Sequence, residues 1–140
     1  MKEPDHEQSV TALLVGEYGN DRLLMRDIFH NLGWRLMEAP ARREAMNCLR
    51  RNPVQVVLAE SEVPHWGWKK ILGDLRGLAR PPQLIVTSRS ADECLWSEVL
   101  NLGAYDVLAR PLARDEVERV IDSALRHLDP HPDPAGVAYV

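Results

Sequence analysis

The sequence predicts one α/β domain, a doubly wound five-stranded parallel sheet with five helices. Three observations predict it. Five short apolar runs alternate with five segments of helical periodicity, joined by short links, the pattern of repeated βα units. One run, VQVVLA at 54–59, is β-branched and apolar almost throughout, as a central parallel strand covered on both faces requires. The chain has 140 residues, 45% of them hydrophobic, enough for one core without disulfides or metals.

Residues 1–9 are polar and read as a disordered lead. TALLVG, 11–16, is the first strand, closed by glycine. A helix starts at Asn20 or Asp21. Leu24, Ile28 and Leu32 recur on one of its faces beside Leu23 and Phe29, and Gly33 ends it as a C-cap. WRLMEA, 34–39, is the second strand, with Pro40 at its end. The second helix, 41–51, turns Ala41, Ala45, Cys48 and Leu49 inward, and Asn52-Pro53 stops it. After the third strand, residues 60–67, ESEVPHWG, are a loop. The third helix runs from near Trp68 to Leu78 with Ile71, Leu72 and Leu75 inward. Pro81-Pro82 separates it from QLIVT, 83–87, the fourth strand. Ser90 with Glu93 is a capping-box signature for a fourth helix that carries Leu95, Val99 and Leu102 and stops at Gly103. AYDVLA, 104–109, is the fifth strand, and Arg110-Pro111 a turn. The fifth helix, 115–128, spaces Val117, Val120, Ile121, Ala124, Leu125 and Leu128 by threes and fours. Asp115 and Glu116 lie in its first turn, where the helix dipole favours negative charge. The domain therefore spans 10–128, and the proline-rich residues 129–140 read as a flexible tail.

The formal net charge of −4 argues against nucleic acid as a partner of this chain alone, because a duplex-binding domain carries a basic stripe. Arg42, Arg43, Arg50 and Arg51 read as a solvated face of the second helix. Cys48 and Cys94 stand alone, without metal-ligand spacing, and read as reduced thiols. No apolar run reaches the roughly 18 residues of a membrane span. MKEPDHEQS is followed by no apolar signal segment, so a cytoplasmic location is expected. No cofactor is expected: GEYGND has two glycines but neither the length nor the Lys-Ser/Thr of a phosphate-binding loop.

Ligands of a doubly wound sheet bind beyond the carboxyl ends of its strands. Those ends are Gly16-Glu17, Glu60-Ser61-Glu62, Thr87-Ser88 and Arg110-Pro111. Four separate pieces of chain thus bring three carboxylates, three hydroxyls and a guanidinium to one crevice, which makes it the candidate site.

Three segments at these ends resemble the receiver domain of bacterial response regulators. GAYDVLARPL, 103–112, is similar to that family's Gly-Ala, short strand and lysine before a proline. VVLAESEVP, 56–64, is similar to the strand that ends in the phosphate-accepting aspartate with a proline four positions on, which puts Glu60 in the acceptor position. LIVTS, 84–88, places Thr87 at the family's hydroxyl. The resemblance covers residues 10–128. It implies a receiver, or flavodoxin-like, fold with strand order 2-1-3-4-5, a cis bond before Pro111, and a domain that accepts a phosphoryl group from a histidine kinase with the help of Mg²⁺.

At the site this chain departs from the family. The acidic pair falls on Gly16 and Glu17, the acceptor on Glu60, the lysine on Arg110, and the switch aromatic on Val107; Thr87 alone matches directly. Mg²⁺ demands near-ideal octahedral geometry, so losing one carboxylate and displacing another weakens its binding. The Glu60 carboxylate stands about 1.5 Å further out than an aspartate's, and a misplacement of about 1 Å can cost about a hundredfold in rate. Arg110 is a planar fork suited to clamping a carboxylate bidentately rather than a compact ammonium. The expected pocket is therefore degenerate: Glu60 clamped by Arg110 and hydrogen-bonded by Thr87, with Gly16, Glu17, Glu62 and Ser88 around it. Its resting state is either activated-like, with Glu60 standing in for a phosphoryl group, or inactive-like, with Glu60 and Arg110 a plain ion pair.

The function this implies is a non-enzymatic, phosphorylation-independent interaction module whose partner is a histidine kinase or a separate output protein. The alternatives are a receiver that still accepts a phosphoryl group with Mg²⁺, and a structural dimerisation domain. The resemblance makes the face of the fourth helix, fifth strand and fifth helix the partner or homodimer surface, with Trp96 and Tyr105 on it. Trp66 and Trp68 either cover the pocket or pack on the third helix, or, if exposed, anchor an interface. Among the histidines His65 alone falls near the pocket.

Overall fold

The structure, a computed structural model, describes residues 10–128; the expected lead and tail lie outside the described residues. In chain order the elements are β1 (Thr11–Val15), α1 (Asn20–Leu32), β2 (Arg35–Ala39), α2 (Arg42–Arg51), β3 (Val56–Glu60), β4 (Glu62–Val63), β5 (Trp66–Gly67), α3 (Trp68–Arg76), β6 (Gln83–Ser88), α4 (Glu93–Leu102), β7 (Asp106–Ala109) and α5 (Arg114–Arg126). The five long strands form one parallel sheet in the order β2-β1-β3-β6-β7, which is the expected 2-1-3-4-5.

Both faces of the sheet are covered, and the strands split their side chains between them by simple alternation. Leu13, Val15, Val57, Ala59, Leu84 and Val86 point to one face, where they meet Ala45, Met46 and Leu49 of α2, Ile71 and Leu75 of α3, and Val99 of α4. Ala12, Leu14, Val56, Leu58, Ile85 and Leu108 point to the other, against Met25, Ile28 and Phe29 of α1 and Val117, Val120, Ile121 and Ala124 of α5. In-step pairing sets Val15 beside Ala59, Glu60 beside Thr87, and Ser88 beside Ala109. The carboxyl ends of these strands are therefore level, and the four segments predicted to converge do so.

Several elements differ from expectation. The inward face of α1 centres on Met25, Ile28 and Phe29, while Leu23 is 61% exposed and Leu32 40%. The helix lies where it buries Phe29, with the half-buried Trp34 packed edge-on against it, and this outweighs the leucine count. In α2, Met46 is buried and Ala41 is exposed. Ser90 does not cap α4: Asp92 does, its carboxylate accepting from the Leu95 N–H at 2.9 Å. Residues 62–67 are a small antiparallel hairpin rather than an open loop. Its turn holds His65 at φ 60°, and its end buries Trp66 and Trp68 in the core.

At the open edge of the sheet, Asp106 turns its carboxylate back on its own strand. Oδ1 accepts from the Val107 N–H at 2.8 Å and from the Trp96 indole N–H at 3.3 Å.

Candidate functional site

The site is built around Arg110, which leaves the end of β7 just before a cis Arg110-Pro111 bond, as the resemblance implies. The side chain is only 2% exposed. Nη1 donates to Glu60 Oε2 and, at 3.4 Å, to the Glu17 carbonyl. Nε donates to Asp21 Oδ2 at 3.0 Å, and Nη2 to the Tyr18 carbonyl at 2.8 Å. The guanidinium also lies over the Tyr18 ring, 4.5 Å from its centroid, a cation–π contact in a dry setting. Arg110 and Glu60 thus meet as predicted, but not as a bidentate clamp. The planar fork is shared among several acceptors, and Glu60 receives one hydrogen bond from it.

The other oxygen of Glu60 is occupied as well. Oε1 accepts from the Glu17 N–H at 3.0 Å. This draws the carboxylate back over β1, above Gly16, where φ is +118° and a Cβ would lie 2.6 Å from Oε1 and 2.9 Å from Glu60 Cγ. Glycine at position 16 and glutamate at position 60 therefore belong together. The longer side chain lies in space that any side chain at 16 would fill.

Thr87 does not reach Glu60. Its hydroxyl pairs with the Tyr18 hydroxyl at 2.7 Å, both residues being buried. Burial pushes the Tyr18 phenol well above its ordinary pKa, against a smaller lowering by the Thr87 hydrogen bond. The Glu17 side chain is exposed, and that residue serves the site through its backbone alone. Glu62 and Ser88 line a neighbouring open groove of about 510 Å³ between the starts of α3 and α4. There the Ser88 hydroxyl accepts from the Ser90 N–H at 3.0 Å. Val107 is packed in the core. His65 is exposed, with no hydrogen bond or ion pair to the site among the described residues.

Two members of the site were not anticipated, Tyr18 and Asp21. Besides Arg110, Asp21 also takes the Leu112 N–H at 3.3 Å, so one carboxylate joins the start of α1 to the chain on both sides of Pro111. The sequence offered one signal for them. Both belong to the segment that leads from the first strand into the first helix, at the mouth of the crevice, and an aromatic between two glycines in GEYGND has no solubility role there.

No protein-family model matches the sequence, and no curated protein matches it. Solved structures do. The signal receiver domain of an HD domain-containing protein from Pseudomonas fluorescens Pf-5 superposes with TM-score 0.75 at 20% identity, over 86% of this chain and 97% of that one. A Francisella response regulator receiver domain does so with TM-score 0.72 at 21% identity, over 84% and 98%. A response regulator from Thermotoga maritima gives 0.75 at 19%, over 84% and 98%. The strand order, the covered faces and these superpositions agree, and the chain has the fold of a response-regulator receiver domain.

Proposed function

We propose that the domain is an atypical receiver that signals without being phosphorylated, a protein-interaction module rather than a phosphotransfer enzyme. The observation that carries this reading is the state of Glu60, the residue in the acceptor position. One of its oxygens is held by Arg110 and the other by the Glu17 N–H. A nucleophile must present a free lone pair to phosphorus within near-attack distance. Here each oxygen accepts one hydrogen bond, which holds the carboxylate back over β1, and swinging either toward a donor phosphorus would strip an acceptor from a donor in the pocket. The cation that would meet an incoming phosphoryl group, Arg110, is itself buried and already donates to four acceptors of the protein.

Two further features support the reading. The Thr87 hydroxyl, which would move toward a phosphoryl group, is tied to Tyr18. Val107, at the switch position, has no aromatic side chain to swing. The domain then has one resting arrangement, and its output is a fixed surface. The face of α4, β7 and α5 is the one we assign to a protein partner, such as a histidine kinase, a separate output protein or a second copy. Trp96 there is 50% exposed. Tyr105 there is half-buried, its hydroxyl engaged with Ser123 and His127.

Incubation with Mg²⁺ and a small phosphoryl donor or beryllofluoride, read by intact mass and tryptophan fluorescence, tests this. The expected result is no adduct and no saturable response. A phosphoryl adduct that disappears in Glu60→Gln would overturn the proposal.

A further inference from the structure

The oxygen atoms around Arg110 lead one step further, deepening the proposed function and resting on it. Phosphotransfer in this fold depends on a divalent cation held by strand-end carboxylates, and the residues present do not fit one. Position 16 offers no side chain, and its space is taken by Glu60. The oxygens that remain already surround a positive charge. Glu60 Oε2, Asp21 Oδ2 and the carbonyls of Glu17 and Tyr18 all accept from the one guanidinium. Two carboxylates and two carbonyls are the donor set a hard cation selects. They come from the β1–α1 loop, the start of α1 and the end of β3, and the one guanidinium lies between the two carboxylates.

We infer that Arg110 is a built-in cation occupying the place of a divalent metal ion. It neutralises Glu60 and Asp21 and draws the β1–α1 loop onto the end of β7. Being tethered to the chain, it cannot dissociate, so the closed pocket does not depend on the metal concentration around it. A plain surface ion pair would not need two backbone carbonyls, a second carboxylate, or a guanidinium with a 2% exposed side chain.

This reading requires that removing the guanidinium uncover a cation site. The full chain is titrated with Mn²⁺, followed by paramagnetic resonance, and with Tb³⁺, whose emission Tyr18 sensitises because its ring borders the site. The wild type is expected to show no saturable binding. Arg110→Ala and Arg110→Met are expected to bind both ions at least tenfold more tightly than the wild type, and to lose that gain when Asp21→Asn is added. If either variant does not fold alone, Mn²⁺ is expected to restore its circular dichroism. Saturable binding by the wild type at the pocket overturns the inference. So does a folded variant without a gain, a gain indifferent to Asp21→Asn, or an unfolded variant that Mn²⁺ does not rescue. These outcomes are separate from those for phosphorylation. A phosphoryl adduct with no metal response defeats the proposed function, while metal binding without an adduct defeats only the built-in cation.

Discussion

Tyr18 shows how much one loop residue contributes to the pocket. Its ring supports the Arg110 guanidinium and its hydroxyl holds Thr87, so it connects the charged part of the site to the sheet. It also makes stability depend on alkaline pH. Its folded pKa is raised above the unfolded value of about 10. The native state therefore favours the neutral phenol. That contribution is complete below about pH 10 and is lost as pH rises, because the unfolded chain ionises first. Thermal melts from neutral to strongly alkaline pH should show a fall in stability that is shallower in Tyr18→Phe; equal slopes would refute it. The residues in line with a known pattern, Gly16, Glu60, Thr87 and Arg110, were legible in the sequence because each ends or follows a strand. Tyr18 and Asp21 were not. The hydrogen bond between Arg110 and Asp21 spans 89 positions, and no local periodicity signals a contact of that range. The same limit explains the misjudged Thr87 contact, since its true partner was not in view.

Among the elements, α3 is fastened in its last turn by two side chains that periodicity does not reveal. Near its C-terminal end, Asp74 accepts from Trp66 Nε1 at 2.8 Å and from Arg42 Nε at 3.0 Å, joining α3 to the hairpin and to α2. Arg76 then reaches over Gly103 and donates to the Leu102 carbonyl, capping α4 where the helix dipole is negative. Burial alone would raise the Asp74 pKa, but hydrogen bonds from Arg42 and Trp66 outweigh it and hold the carboxyl below its usual value. The native state thus prefers the ionised form, and the stabilisation is full above about pH 4 and lost as the pH falls below that. Acid titration followed by tryptophan fluorescence should show the Trp66 environment changing in this range, with a smaller change in Asp74→Asn. An identical acid profile in that variant would exclude the role. Apolar spacing located every long element, but not the orientation of α1 or the cap of α4. Leucines fit both faces of α1, and the aromatic pair that decides between them joins two elements. Asp92 and Ser90 are both good caps, and only the path of the chain after β6 selects one.

For the molecule as a whole, alternation of apolar runs sufficed to specify a sheet covered on both sides, because few other arrangements bury five such strands. The order of the strands rested on likeness to known domains, and the superpositions bear it out. What the pattern of runs leaves open is how the sheet ends. Among the described residues no helix is long and apolar enough to cross a membrane, and the two outermost strands, β2 and β7, meet no further strand. The hydrogen bond from the Val107 N–H to Asp106 Oδ1 has a consequence there. An outer strand with free amide groups is a template on which a neighbouring molecule can lay its own strand, the first step toward fibrils. Asp106 consumes one of those amides and puts a negative charge where an invading chain would settle, with the Trp96 indole drawn across it. Asp106→Ala should remove this guard. Light scattering of concentrated solutions is then expected to rise with time in the variant and stay flat in the wild type, and equal traces would show that the edge is protected by something else. The residue that holds the Trp96 indole would then be the one that keeps copies of the chain from adding to one another without limit.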